Sequence, residues 1–133
     1  SLRVVSEVGA RLPLHCTSQG KVFLAALAES EAQALLGRRP LTAYTPHTVT
    51  DAAQLLASLE QVRRQGYAVE DGEYKIGLRS VSAPVYGVDG AVRCTVGIVG
   101  MLRSTHSEEF HRAVEQVTAA GRMLSAALGY TGE

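Results

Sequence analysis

Cysteine is scarce in this chain: Cys16 and Cys94 are the only two among 133 residues, and neither has a second cysteine or other metal-ligand spacing beside it. That excludes a disulfide scaffold and gives no basis for a metal or cofactor site. With no signal or transit sequence in view, it predicts reduced thiols and a cytoplasmic location. Long hydrophobic runs are also missing, so no segment reads as a membrane span. Charge of one sign is missing too. Thirteen Lys plus Arg balance thirteen Asp plus Glu, and the basic residues are scattered, which makes this piece a poor nucleic-acid binder by itself. There is no internal repeat and no low-complexity tract. What remains is an ordinary globular balance, 46% hydrophobic and 20% charged. A chain of this length can remove roughly two thirds of its unfolded surface from water, enough for one domain over residues 1–133. The opening at Ser1, inside an apolar alternation and without an initiator Met, predicts a piece of a longer protein.

Punctuation and periodicity divide the chain. Val4, Val5 and Val8 read as the end of a short strand, followed by a turn at Gly9 and Pro13. Leu14, Phe23, Leu24 and Leu27, with small alanines between, suit a helix to about Ala28 that has Pro13 at its first turn. Ser30 with Gln33 announces a second helix, stopped by Gly37. Residues 38–48 read as a loop. Thr50 is placed to cap a third helix with the stripe Leu55, Leu59 and Val62, closed by Gly66. A short strand, Tyr67 to Val69, leads into an acidic turn at Glu70, Asp71, Gly72 and Glu73. Two longer strands, about Lys75 to Tyr86 and Ala91 to Met101, join across Asp89-Gly90, a hairpin signal. In the second, Val92, Cys94, Val96 and Ile98 alternate with the other face and predict a buried side that includes Cys94. A last helix carries Phe110, Val114, Val117, Leu124 and Leu128, and ends at Gly129. Hairpin-linked strands next to helices give an α+β class with an antiparallel sheet.

Three clusters could carry chemistry. His15 beside Cys16 invites a nucleophile-and-base reading, that of a small hydrolase or transferase. Adjacent helical residues point about a quarter-turn apart, however, which favours a packing role for Cys16. His106 and His111 fall on different helix faces and read as solvated. Glu70, Asp71 and Glu73 could supply a carboxylate for acid–base work, although charges in a turn are usually just solvated. Beside these, Gly77, Ser80, Ser82, Gly97 and Gly100 leave one sheet face bare, as strands do where backbone or ligand approaches closely. The helix start at Thr17-Ser18-Gln19-Gly20-Lys21 has free N–H groups that could meet an anion.

Four blocks in order, PLHCTSQGKVFLA (13–25), TPHTVTD (45–51), RRQGYAVEDGEYKIGLRSVSAPVYGVDGAV (63–92) and ALGY (127–130), resemble the effector-binding domain of IclR-type bacterial transcriptional regulators over nearly the whole chain. The resemblance implies a GAF-like fold and a non-enzymatic sensor of a small organic or aromatic acid. It also implies self-association as a dimer or dimer of dimers, with operator DNA bound only through an N-terminal winged helix-turn-helix domain outside this chain. By the same resemblance, the opening helix and first strands of the sensing domain are expected to fall outside it as well. Matched block by block, the resemblance places the effector among Val4, Leu12, Ser18, Gln19, Glu70, Leu78, Ser80, Gly97 and Val99. Gln19 stands where a small residue is common, Gly72 where an acidic one is frequent, and Gly97 and Val99 where hydroxyls can occur. These departures imply a pocket less polar than one for glyoxylate or pyruvate. If the bare face is open, Gly97→Leu should fill it and abolish binding with little effect on stability.

Overall fold

Each helix is set by its cap, and three of the caps differ from the sequence expectation. In the computed structural model, which describes residues 7–132, α1 spans Ser18–Ala26. It begins four residues later than the apolar spacing predicts, because Thr17 takes the cap. Its hydroxyl accepts the Gly20 N–H at 3.2 Å and donates to the Pro13 carbonyl at 2.7 Å. Gly20 lies directly against the Leu14 backbone, where a Cβ could not fit, so the preceding segment folds back over the first turn of α1. Helix α2, Glu29–Leu36, is capped by Ala28 and not by Ser30, which lies inside it; the Glu31 carboxylate accepts the Ala28 N–H at 3.4 Å. Helix α3, Ala52–Gln65, is capped by Asp51 instead of Thr50, the carboxylate accepting the N–H groups of Ala53 and Gln54. It stops where Gly66 turns left-handed at φ 83°. Leu55 and Leu59 of α3 join Leu24, Ala25, Ala32 and Leu36 in one buried cluster.

The strands β1 (Ala68–Asp71), β2 (Arg79–Tyr86) and β3 (Val92–Gly100) form an antiparallel sheet in that order. β1 reaches two residues further than expected, to Asp71, and residues 75–78 form a turn that shortens β2. Gly90, at φ 80°, closes the β2–β3 hairpin as predicted. Ser80 pairs with Glu70 on one side and Val99 on the other, and Ser82 with Ala68 and Gly97. These residues therefore share one face, while Val81 and Ala83 share the other.

That second face is covered by α4, Glu108–Ala127, through Phe110, Ala113 and Val117, with Val96 and Ile98 packed alongside. The helix sits closer to the sheet than its leucines allow. A Cβ at Gly121 would lie 3.0 Å from the Pro84 carbonyl, so small residues, Gly121 and Ser125, face the strands. Leu124 and Leu128 are turned outward and are 44% and 50% exposed, against expectation. Cys94, expected in the core, is exposed on the edge strand β3. Val4 and Val5 lie outside the described residues, and Val8, the remaining member of the predicted first strand, is exposed in a turn. Among the described residues no helix is long and apolar enough to cross a membrane.

Candidate functional site

The N-terminus of α1 crosses the sheet face opposite α4, and the contact between them is polar. Ser18, Ser80, Ser82 and Glu70 are all buried, at 0 to 4% exposure. Ser82 Oγ lies 2.7 Å from Ser18 Oγ, which lies 2.8 Å from Ser80 Oγ, which lies 3.0 Å from Glu70 Oε1. Each hydroxyl carries one proton, and Ser80 is within donating distance of both Ser18 and Glu70; with an ionised Glu70 that proton goes to the carboxylate, Ser18 donates to Ser80 or, at 3.4 Å, to the Gln19 Oε1, and Ser82 donates inward to Ser18. Glu70 Oε2 in turn accepts the Glu73 N–H at 3.0 Å.

The acidic segment is therefore not the solvated turn that its composition predicts. Lys21, one turn along α1 from Ser18, reaches over it and donates to both oxygens of Glu73, at 2.7 and 2.9 Å, and to the Val69 carbonyl at 3.0 Å. Both members of this ion pair are nearly buried. From the other side the loop 44–48 ties down the turn: Thr45 donates to the Gly72 carbonyl at 2.6 Å and Thr48 to that of Glu73 at 2.5 Å. Burial pushes the Glu70 carboxyl above its ordinary pKa, although the Glu73 N–H and the Ser80 hydroxyl oppose the shift. Asp71 points to the other side of its strand and pairs with Arg79 at 2.8 Å.

Of the nine sequence-predicted residues, Ser18, Ser80 and Glu70 are brought together in the buried run; Leu78 is buried too, in the turn before β2 and not on the strand. Leu12 and Val99 are each 46% exposed, Gly97 is exposed and Gln19 is half-buried. Val4 lies outside the described residues. The nine leave out Ser82, Lys21 and Glu73, although each falls in one of the clusters that the sequence marks, the bare sheet face, the helix start and the acidic turn. Ser82 was discoverable, since it follows Ser80 by one strand period. Lys21 was a lone cation among apolar helix residues, with no local signal of a partner 52 positions away.

Gly97 corrects the expectation of open space. A Cβ there would lie 2.5 Å from Ser82 Oγ and 2.7 Å from the Val81 carbonyl, so the face is bare because the strands need it bare. Cavities of about 380 Å³, beside Tyr86, Arg122 and Tyr130, and about 420 Å³, beside Phe23, Leu27 and Val92, contain none of the nine predicted residues.

The Cys16–His15 pair is not arranged for nucleophilic chemistry. Cys16 is fully buried, and its thiol is pushed up to about 12 by burial first and the charges of Glu70 and Glu73 second. The imidazole Nε2 of His15 lies 2.8 Å from the Thr42 carbonyl. His106 and His111 are both exposed, but His106 lies in the turn before α4 and not on the helix, where the sequence reading puts it; no group of three His, Cys, Asp or Glu among the described residues could hold a metal ion.

Comparison with known proteins gives this geometry a family. The family model for the C-terminal region of bacterial IclR transcriptional regulators matches residues 1–126. The HTH-type transcriptional regulator XynR of Escherichia coli is 38% identical over 125 residues, covering 94% of this chain and 50% of the relative. Among solved structures, the Thermotoga maritima IclR aligns over 98% of this chain and 53% of its own, at 32% identity and a TM-score of 0.88. The inducer-binding domain of PobR from Acinetobacter, a double mutant in complex with 3-hydroxybenzoic acid, aligns over 97% of this chain and 74% of its own, at 26% identity and a TM-score of 0.79. The chain spans about half the length of the curated relatives it matches. It belongs to the IclR family of bacterial transcriptional regulators, and corresponds to their C-terminal region.

Proposed function

We propose that this chain is the effector-sensing domain of a cytoplasmic regulator. A small organic or aromatic acid sits on the rim of Leu12, Gln19, Gly97 and Val99 above the floor of Ser18, Ser80, Ser82 and Glu70. The observation that carries the reading is the buried run of three hydroxyls ending on a carboxylate, placed where a helix start meets a sheet face. Apolar side chains would hold α1 to β2 at least as well, so this polarity is a recognition surface. The complex of the double-mutant PobR inducer-binding domain with 3-hydroxybenzoic acid supports the ligand class. Val99, Leu12 and Leu78 favour a ligand with an apolar body, and Glu70 disfavours a second carboxylate.

Effector binding shifts the arrangement of paired domains, dimers or dimers of dimers, and so alters operator binding by a DNA-binding domain elsewhere in the full protein. The domain is not an enzyme. Its buried, protonated thiol supports that reading against a cysteine hydrolase, and Cys16→Ala should leave acid binding intact. The test is a thermal-shift screen with benzoate, 3-hydroxybenzoate, pyruvate and succinate. An acid at a hundred times its Kd should stabilise the fold by about 2.7 kcal/mol, with monoacids ahead of succinate. No shift with any of them at millimolar concentration would sink the proposal.

A further inference from the structure

The direction of the hydroxyl run has a chemical consequence for any anion that meets it. Ser82 is the member farthest from Glu70: it is 4% exposed and packed beside the exposed Gly97, while Glu70 closes the other end. With Glu70 ionised, the Ser82 proton is committed inward to Ser18, and the Ser82 oxygen offers only lone pairs toward the rim. A carboxylate placed there meets an acceptor, not a donor. If Glu70 takes a proton, the whole run can turn over. Glu70 then donates to Ser80, Ser80 to Ser18, Ser18 to Ser82, and Ser82 is free to donate outward.

Resting on the sensor reading above, we propose that the domain binds its acid effector as an anion together with one proton from solvent, the proton residing on Glu70 at the far end of the serine run. The balance is simple: carboxylate plus proton plus ionised Glu70 becomes bound carboxylate plus neutral Glu70. Two carboxylates at one site share a proton in this way because both cannot stay charged without water.

The charged neighbours leave Glu70 as the group that responds. Lys21 of α1 is committed to Glu73 in the turn, and Asp71 of β1 is paired with Arg79 on the other side of the strand. The Cys16 thiol stays neutral, His15 is held on the Thr42 carbonyl, and His47 of the 44–48 loop lies beside Gly72. Burial already inclines Glu70 toward the neutral form.

Calorimetric titration of this chain with 3-hydroxybenzoate at pH 7, in phosphate and in Tris, reads the proton directly, because the two buffers differ in ionisation enthalpy. The expected result is an uptake approaching one proton per acid bound, and a Kd that tightens about tenfold for each unit of falling pH while free Glu70 is ionised. Glu70→Gln keeps a donor toward Ser80 and an acceptor for the Glu73 N–H, so it should bind with no uptake and a flat pH profile. Ser82→Ala, which breaks the run at its outer end, should also lose the uptake. Binding by the unmodified chain with the same heat in both buffers overturns the proton coupling and leaves the sensor reading standing. An uptake that persists in Glu70→Gln overturns the assignment to Glu70. Failure of 3-hydroxybenzoate to bind at any pH from 5 to 8 overturns the coupling proposal for this acid, whereas failure of the whole acid panel overturns the sensor reading with it.

Discussion

Gly97→Ala tests the sheet face at the point where exposure and packing disagree. Gly97 is exposed, and substitutions at exposed positions ordinarily change stability by less than about 0.5 kcal/mol. Its backbone, however, leaves no room for even a methyl group. The new carbon would stand 2.7 Å from the Val81 carbonyl and 2.5 Å from Ser82 Oγ. The serine hydroxyl can rotate only by breaking its bond to Ser18, and the carbonyl belongs to the neighbouring strand, so β3 must shift away from β2. Overpacking of this kind costs about 2 kcal/mol. With an unfolding entropy of about 2.1 cal/mol/K per residue over 133 residues, roughly 0.28 kcal/mol/K, the midpoint should fall by about 7 °C. Gly100→Ala on the same strand is the control. Nothing lies within 4 Å of a Cβ there and its φ is not positive, so it should be neutral or slightly stabilising. Thermal melts of both variants by circular dichroism decide the matter. If Gly97→Ala melts within 2 °C of the parent, or with Gly100→Ala, the close approach of β2 and β3 is wrong.

Further outcomes follow from the same contacts. Lys21→Met strands the nearly buried Glu73 carboxylate and should cost about 3 kcal/mol in urea unfolding, much of it restored in the double variant with Glu73→Gln; a single variant as stable as the parent would refute the pairing. Native protein treated with a thiol reagent at pH 8 should titrate one cysteine, the exposed Cys94, and a second only in denaturant; two fast thiols would contradict the burial of Cys16. The raised pKa of Glu70 means that folding favours its protonated form. That contribution is full below the ordinary glutamate pKa and is lost as pH rises through the folded value. Glu70→Gln should therefore gain on the parent as pH increases across that window and show no gain at low pH. A gain that grows toward acid would reverse the sign and refute the shift.

What could be read from the sequence depended on whether local signals agreed. Helix α3 was legible because a cap, an apolar stripe and a left-handed glycine within one 16-residue stretch all point to the same element; only the choice between Thr50 and Asp51 as cap was missed, by one residue. The β2–β3 hairpin was legible for the same reason. Alternation along β3 gives the two faces correctly, but period two says nothing of how far cover extends along a strand: the core reaches Val96 and Ile98 and stops short of Cys94. Leu124 and Leu128 failed in a related way. Helical spacing finds an apolar stripe, whereas the close approach at Gly121 chose the neighbouring stripe of small residues. The acidic turn was the largest miss. Its burial comes from Lys21, 52 residues before Glu73, and from Thr45 and Thr48, 27 and 25 residues before the carbonyls they bond, none of which leaves a mark at the turn itself.

The two faces of the sheet are held by different forces, and the difference bears on which can part. On the α4 side Val81, Ala83, Phe110, Ala113 and Val117 are buried together, and separating them exposes apolar surface at about 25 cal/mol per Å². On the α1 side the first turn meets β2 through three hydroxyls, each bond worth only about 1 kcal/mol net because water supplies a replacement as the groups separate. The apolar part of α1, Leu24 and Ala25, is engaged with α2 and α3 instead. The helix is thus anchored at its C-terminal half and held by exchangeable bonds at its N-terminal half. Lys21 stands between the two, tied to the acidic turn by its ion pair with Glu73. Parting the first turn of α1 from β2 therefore breaks bonds that water can replace, whereas parting α4 from the sheet exposes apolar core.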